Sequence, residues 1–280
     1  MTLILATAAL ALAQAGSFPG SNTMPDVPDD LRDRPPRAEP VERAAAGDLA
    51  QCLKLASTDP QAALDYAQGW RERAAGDLEF AQGAHCLGLA LVQLGRGAEA
   101  RQAFELASAE APQDNLAYAA RLAAMAGNAA LSEGDAEAAL PLLDRAGEMA
   151  LLAGEKQLGA GLRIDLARVL VRLNRAEDAA SALAEAREAD GINSEAWLLS
   201  ATLSRRMERL GEAQAQIERA ALLAPRDPQV GLEAGVIAAM SGRADDARAS
   251  FQSVLALAPG TPAAERAQAY LAQLDAATSE

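Results

Sequence analysis

The sequence predicts an all-α fold: an α–α superhelix, or solenoid, of about six helix–turn–helix repeats followed by a C-terminal capping helix. Three observations lead there. First, half of the 280 residues are hydrophobic but only 3% are aromatic, and alanine supplies much of the apolar count. Alanine is the strongest helix former and buries little area per residue, so a fold built from it must bring many helices together and sum thin contacts. Second, small residues recur seven apart, two turns along one helical face: Ala100/Ala107, Ala139/Ala146, Ala179/Ala186, Ala213/Ala220 and Ala247/Val254, with Phe104, Leu143, Leu183, Ile217 and Phe251 between them. Third, a turn-former stands five residues before the first alanine, at Gly95, Gly134, Asn174 and Gly242. In the remaining unit that position is Glu208, and the expectation is that the glycine has moved to Gly211.

From the N-terminus, Leu3 to Leu12 is a run of ten residues, apolar apart from Thr7, followed by the small-x-small site Ala13-Gln14-Ala15. Residues 1–15 therefore read as a secretory signal peptide, too short to span a bilayer. No lysine or arginine precedes the run, which leaves a misassigned start or an ordinary buried helix as alternatives. Residues 16–43 hold six prolines and little to bury, the composition of a disordered tether. Together they predict an exported, periplasmic protein with no stable membrane insertion after cleavage. The net charge of −14 argues against nucleic acid and anionic membrane surfaces as partners, since both reward basic proteins.

The solenoid is expected over 44–276. A divergent first unit, 44–77, places Ala63 and Trp70 where the small pair belongs; the indole breaks the small-residue rule, which suits an atypical terminal repeat but leaves its packing in doubt. Further units fall at about 81–114, 120–153, 160–193, 194–227 and 228–261, with a cap over 262–276. Small residues in the first helices (Gly88, Gly127, Ala167, Ala201, Gly235) let helices approach, and Pro112, Pro225 and Pro259 stop second helices. The first alanines are spaced 39, 40, 34 and 34 residues apart. Pro141, inside a second helix, is expected to remove a hydrogen bond and bend it. One such unit cannot bury its apolar face alone, so the units must stack.

The series Leu87-Gly88…Gly95…Ala100…Phe104…Ala107…Pro112, with Trp197…Ala201…Ala213…Ala220…Pro225 and Gly235…Gly242…Ala247…Phe251…Pro259, resembles the tetratricopeptide repeat family, and the two 34-residue spacings agree. The resemblance implies that first helices line a concave groove and second helices form a convex back. Inward candidates are then Arg121 and Asn128, Arg168 and Arg172, and Arg205 with Arg206, a basic stripe on an acidic protein. Such a stripe suits an acidic segment or a C-terminal carboxylate of a protein partner, held by guanidinium forks. It does not reproduce the family's clamp of lysines and asparagines in three consecutive units, because here the asparagine is single and lysines are absent. The competing explanation is that Arg172, Arg205 and Arg206 complement helix C-termini, with Asp165 and Glu208 near enough to neutralise some charge.

Catalysis finds little support. The single histidine, His85, has no companion ligands, and Ser194 and Ser204 lack a histidine partner. The acid pairs Glu177-Asp178 and Asp245-Asp246 start second helices, where negative charge meets the helix dipole. The expectation is a protein–protein interaction scaffold without cofactor, metal or turnover; alternatives are a structural subunit of an envelope complex and a cytoplasmic scaffold. Cys52 and Cys86 lie on neighbouring first helices, so export would permit a disulfide closing 33 intervening residues, contributing on the order of 3 kcal/mol. Two separate buried thiols are the other possibility.

Overall fold

Alanine-rich faces bury only Cβ surface, so helices come together wherever one large side chain meets one small residue. The computed structural model describes residues 41–277, with side chains from 47 to 276. The expected signal peptide and residues 16–40 of the tether lie outside the described residues. Thirteen helices and no strand occur among the described residues. In the first unit α1 (Val41–Thr58) pairs with α2 (Pro60–Arg73), and in the second α3 (Asp77–Gln93) with α4 (Gly97–Glu110). Next come α5 (Leu116–Ser132) with α6 (Ala136–Leu152), and α7 (Lys156–Arg172) with α8 (Ala176–Ala189). The last pairs are α9 (Ser194–Arg206) with α10 (Leu210–Leu223), and α11 (Pro228–Met240) with α12 (Ala244–Leu257), before the final helix α13 (Pro262–Ala277). Each helix packs on its successor, as an all-α solenoid requires. Val41, Glu42 and Arg43, read from the sequence as the end of the tether, are helical.

The hairpin within a unit has a fixed register. The small residue of the first helix and the large residue of the second are always sixteen apart: Gly88 and Phe104, Gly127 and Leu143, Ala167 and Leu183, Ala201 and Ile217, Gly235 and Phe251. A Cβ at Gly88 would lie 2.4 Å from Phe104 Cε1, one at Gly235 2.3 Å from Phe251 Cε1, and one at Gly127 2.8 Å from Leu143 Cγ. Where alanine replaces glycine, leucine or isoleucine replaces phenylalanine. Burying each large side chain stabilises the fold by roughly 1.5–3 kcal/mol.

The turn between the two helices is equally constant. Seven residues past the small position the backbone is left-handed in all five units, at Gly95, Gly134, Asn174, Glu208 and Gly242. The next amide then closes the helix end, as in Arg96 N to Leu91 O at 2.9 Å and Arg209 N to Ser204 O at 2.8 Å. The displacement expected at Gly211 does not occur. Glu208 itself takes φ 61°, and Gly211 is an ordinary residue in the first turn of α10.

Length varies only between units. Helices α3, α5 and α7 have 17 residues and begin four residues before the unit starts at 81, 120 and 160, whereas α9 and α11 have 13 and begin at 194 and 228. The extra turn accounts for most of the longer spacings, and a glycine turn at Gly154 (φ 77°) links α6 to α7. Pro112, Pro225 and Pro259 each stand two residues past the end of a second helix. Helix α6 runs unbroken from Ala136 to Leu152 through Pro141, whose ring is on the exposed side.

The terminal unit is closely packed despite its indole. Trp70 is 1% exposed and lies among Cys52, Ala67 and Cys86. Cys52 and Cys86 face each other from α1 and α3 with Cα atoms 5.9 Å apart, within the span a disulfide needs.

Candidate functional site

On the first-helix face, side chains of α7, α8 and α9 line a groove of about 270 Å³. Its floor is apolar: Ala167, Val171, Leu183, Leu199 and Leu203. Its rim is basic, formed by Arg168 and Arg172 one turn apart on α7 and by Arg206 at the end of α9. Arg168 is occupied by carboxylates, donating to Asp165 Oδ1 at 2.7 Å and to Glu195 at the start of α9. Arg172 and Arg206 are exposed and make no ion pair or side-chain hydrogen bond among the described residues. A guanidinium without a carboxylate keeps its donors for solvent or ligand, and an apolar floor beside it adds a place for a hydrophobic side chain.

No protein-family model matches the sequence, and no curated protein matches it. Solved structures do match. A chain described in the functional characterization of Pseudomonas aeruginosa PilF aligns with a TM-score of 0.58 at 15% identity, over 82% of this chain and 98% of its own. A tetratricopeptide repeat protein from Parabacteroides merdae also gives 0.58 at 15% identity, over 70% and 73%. YrrB, described as a TPR protein with an unusual peptide-binding site, gives 0.51 at 20% identity, over 66% and 90%. The chain has the tetratricopeptide repeat fold.

Within this tetratricopeptide repeat solenoid the groove gathers three of the six residues expected on the basic stripe. Arg168, Arg172 and Arg206 converge on the groove. Arg205 turns away: its Nε donates to Glu233 Oε1 at 2.6 Å and its Nη1 approaches the Met240 sulfur at 3.9 Å, so it ties α9 to α11. Arg121 and Asn128 are exposed on α5 and do not line the groove, and Arg121 reaches only the Ala117 carbonyl at 3.5 Å. The neutralising carboxylates are Asp165, Glu195 and Glu233; Glu208, expected among them, is held in the turn. The floor residues Leu199 and Leu203 were not singled out from sequence, although both lie within a helical turn of the small residue Ala201.

His85 is half-buried in the tetratricopeptide array, tilted against Phe104 and Tyr118, with Nδ1 3.2 Å from the Tyr118 hydroxyl. Burial pushes its imidazole below the ordinary value and pushes the Tyr118 phenol up. Ser204 donates to Gln216 Oε1 at 2.8 Å, a packing role between α9 and α10. Trp197 donates to the Gly191 carbonyl at 3.0 Å, under Arg187. Among the described residues no group of three or more histidine, cysteine or acidic side chains is arranged to hold a metal ion, and no helix is long and apolar enough to cross a membrane.

Proposed function

We propose that this chain is an exported, periplasmic interaction scaffold whose α7–α9 groove receives a segment of a partner protein. The segment presents an acidic side chain or a C-terminal carboxylate to Arg172 and Arg206 and seats an apolar side chain on Val171, Leu199 and Leu203. The observation that carries this reading is that Arg172 and Arg206 stand unpaired over that apolar floor, in a chain where most neighbouring arginines have a carboxylate. A helix dipole would account for a cation at the end of α7 or α9 but not for the floor between them. Export is supported by the leader-like pattern of residues 1–15 and by the facing cysteines, which an oxidising compartment would join.

The test is capture of partners from envelope extract by the wild type and by Arg172→Glu/Arg206→Glu, with Arg205→Glu as the structural control. The double variant should keep its helicity and melting temperature and lose one partner. Arg205→Glu should lower the melting temperature, because it opposes Glu233 across α9 and α11. Partners unchanged by the double variant would remove the groove reading. They would favour a structural subunit docked by its inter-unit edge, where Leu152, Ile192 and Leu222 are 77%, 71% and 75% exposed.

A further inference from the structure

The opposite face, built by the second helices, holds a second and chemically inverted site. Between α6 and α8, over α7, lies a cleft of about 490 Å³. Its floor is Leu140, Leu166, Leu170 and Ala182. Its walls bring four carboxylates (Glu137, Asp144, Asp178, Glu185) against two guanidinium groups (Arg163, Arg175), leaving an excess of two negative charges.

Two features mark it as built rather than left over. Arg163 rises from α7 with its side chain only 7% exposed, and it draws Asp144 of α6 and Glu185 of α8 to the cleft from both sides, Nε lying 2.7 Å from Glu185 Oε2. That side chain passes close over Gly147, where a Cβ would lie 3.1 Å from Arg163 Nε. Asp144 and Glu185 are nevertheless about half open to solvent, so each keeps acceptor capacity beyond Arg163. The other feature is Pro141. It has no N–H to give the Glu137 carbonyl one turn earlier, and both residues line the cleft. A helix interior normally excludes proline, because it lacks the donor and its ring crowds that carbonyl, so its place on this wall is unusual.

We infer that this cleft is a docking site for a lysine or arginine side chain on a basic segment of a second protein. Charge complementarity selects a cation. The leucine floor matches the aliphatic stem that such side chains lay along apolar surface, while the head reaches the carboxylates. The cleft shares α7 with the groove but opens on the other face and takes the opposite charge, so the two sites would hold different partners.

The test is a chemical-shift titration of the full chain with the capped peptide acetyl-Arg-Leu-Arg-amide, and with acetyl-Glu-Leu-Glu-amide as the charge control. The basic peptide should give saturable shifts at Leu140, Leu166 and Ala182, and the acidic one none there. Glu137→Arg, at an exposed position in the first turn of α6, should weaken binding by at least about tenfold. Pro141→Ala, which restores the donor to the Glu137 carbonyl and leaves all four carboxylates in place, should raise the melting temperature without abolishing binding. Glu137→Gln serves if the arginine variant misfolds. Shifts that saturate elsewhere, or that are unchanged in the Glu137 variants, overturn the assignment.

Discussion

The pairing of Gly235 with Phe251 can be put to a quantitative test. A Cβ at position 235 would stand 2.6 Å from Phe251 Cδ1 and 2.8 Å from Cζ. The ring cannot retreat: it is 1% exposed, between Ala247 and Val254 on its own helix, and stacked on Tyr270 at 5.3 Å. Overpacking of this kind costs about 1–3 kcal/mol, and the better helix propensity of alanine returns about 1 kcal/mol. Gly235→Ala alone should therefore destabilise by roughly 1 kcal/mol. Phe251→Leu alone leaves a partly filled space and should cost about 1–2 kcal/mol. Combined, they reproduce the Ala167/Leu183 arrangement that the same chain already uses two units earlier. The double variant should be more stable than the sum of the singles by about 1–2 kcal/mol. Urea unfolding followed by far-ultraviolet circular dichroism measures the cycle, and hydrogen exchange over α11 and α12 localises the effect, since repeat arrays open unit by unit. Additivity within about 0.5 kcal/mol would refute the idea that ring and glycine are fitted to each other.

Other consequences follow from single residues. Glu208→Gly should raise stability by about 1 kcal/mol, because Glu208 holds a left-handed backbone that glycine adopts freely. Gly211→Ala should also stabilise, by about 0.5–1 kcal/mol, since its Cβ would meet open space within α10; a loss there on thermal melting would return the turn to Gly211. For His85, burial lowers the folded-state value below 6.5, so below that pH the unfolded chain binds a proton that the folded chain refuses. Stability is thus lost as pH falls from about 6.5, and the melting temperature of wild type should drop more steeply toward acid than that of His85→Gln. Oxidised protein should show no free thiol, and reduction or Cys52→Ala should lower stability by about 3 kcal/mol, with the first unit opening before the rest. Two reactive thiols in natively isolated protein would mean that Cys52 and Cys86 are not bridged.

The fold was legible because its determinants are local and repeated. One small–large contact and one left-handed turn, both at fixed spacing, generate every hairpin, and Gly88, Phe104 and Gly95 announce them in the chain itself. Helices α3, α5 and α7 begin four residues before the expected unit starts because nothing in the hairpin register constrains the inter-unit edge, where an extra helical turn can be added without moving a core contact. Trp70 misled because a rule for internal units was applied to a terminal one that has its own neighbours, Cys52 and Cys86. The candidate site was only half legible. Helical periodicity places arginines on a face, but the partner of an arginine comes from another helix and, as with Arg205 and Glu233, can be 28 residues away in sequence. The cleft around Arg163 left only a faint trace, a charged residue between Leu162 and Ile164 on an otherwise apolar stripe.

Arginine supplies all but two of the 25 basic residues, and its distribution explains how thin alanine contacts are held in register. Arg71 reaches from α2 to Glu110 of α4, Arg168 from α7 to Glu195 of α9, Arg205 from α9 to Glu233 of α11, and Arg209 at the start of α10 back to Glu177 of α8. Arg243 makes the corresponding bond from the start of α12 to Gln214 of α10, and Arg248 ties α12 to Asp275 of α13. All but the last of these links join helices of the same layer in successive units, contacts that Cβ surfaces alone barely make. The exposed pairs among them contribute about 0–1 kcal/mol each, too little to be the main source of stability. Their planar forks instead restrict how one unit rotates on the next, a property a lysine would supply poorly. In such a chain a bridging arginine is the default, and its presence says nothing about ligands. What sets Arg172 and Arg206 apart is that they reach no carboxylate and stand together over an apolar floor, and Arg163 reaches two across a cleft and leaves both of them open to solvent.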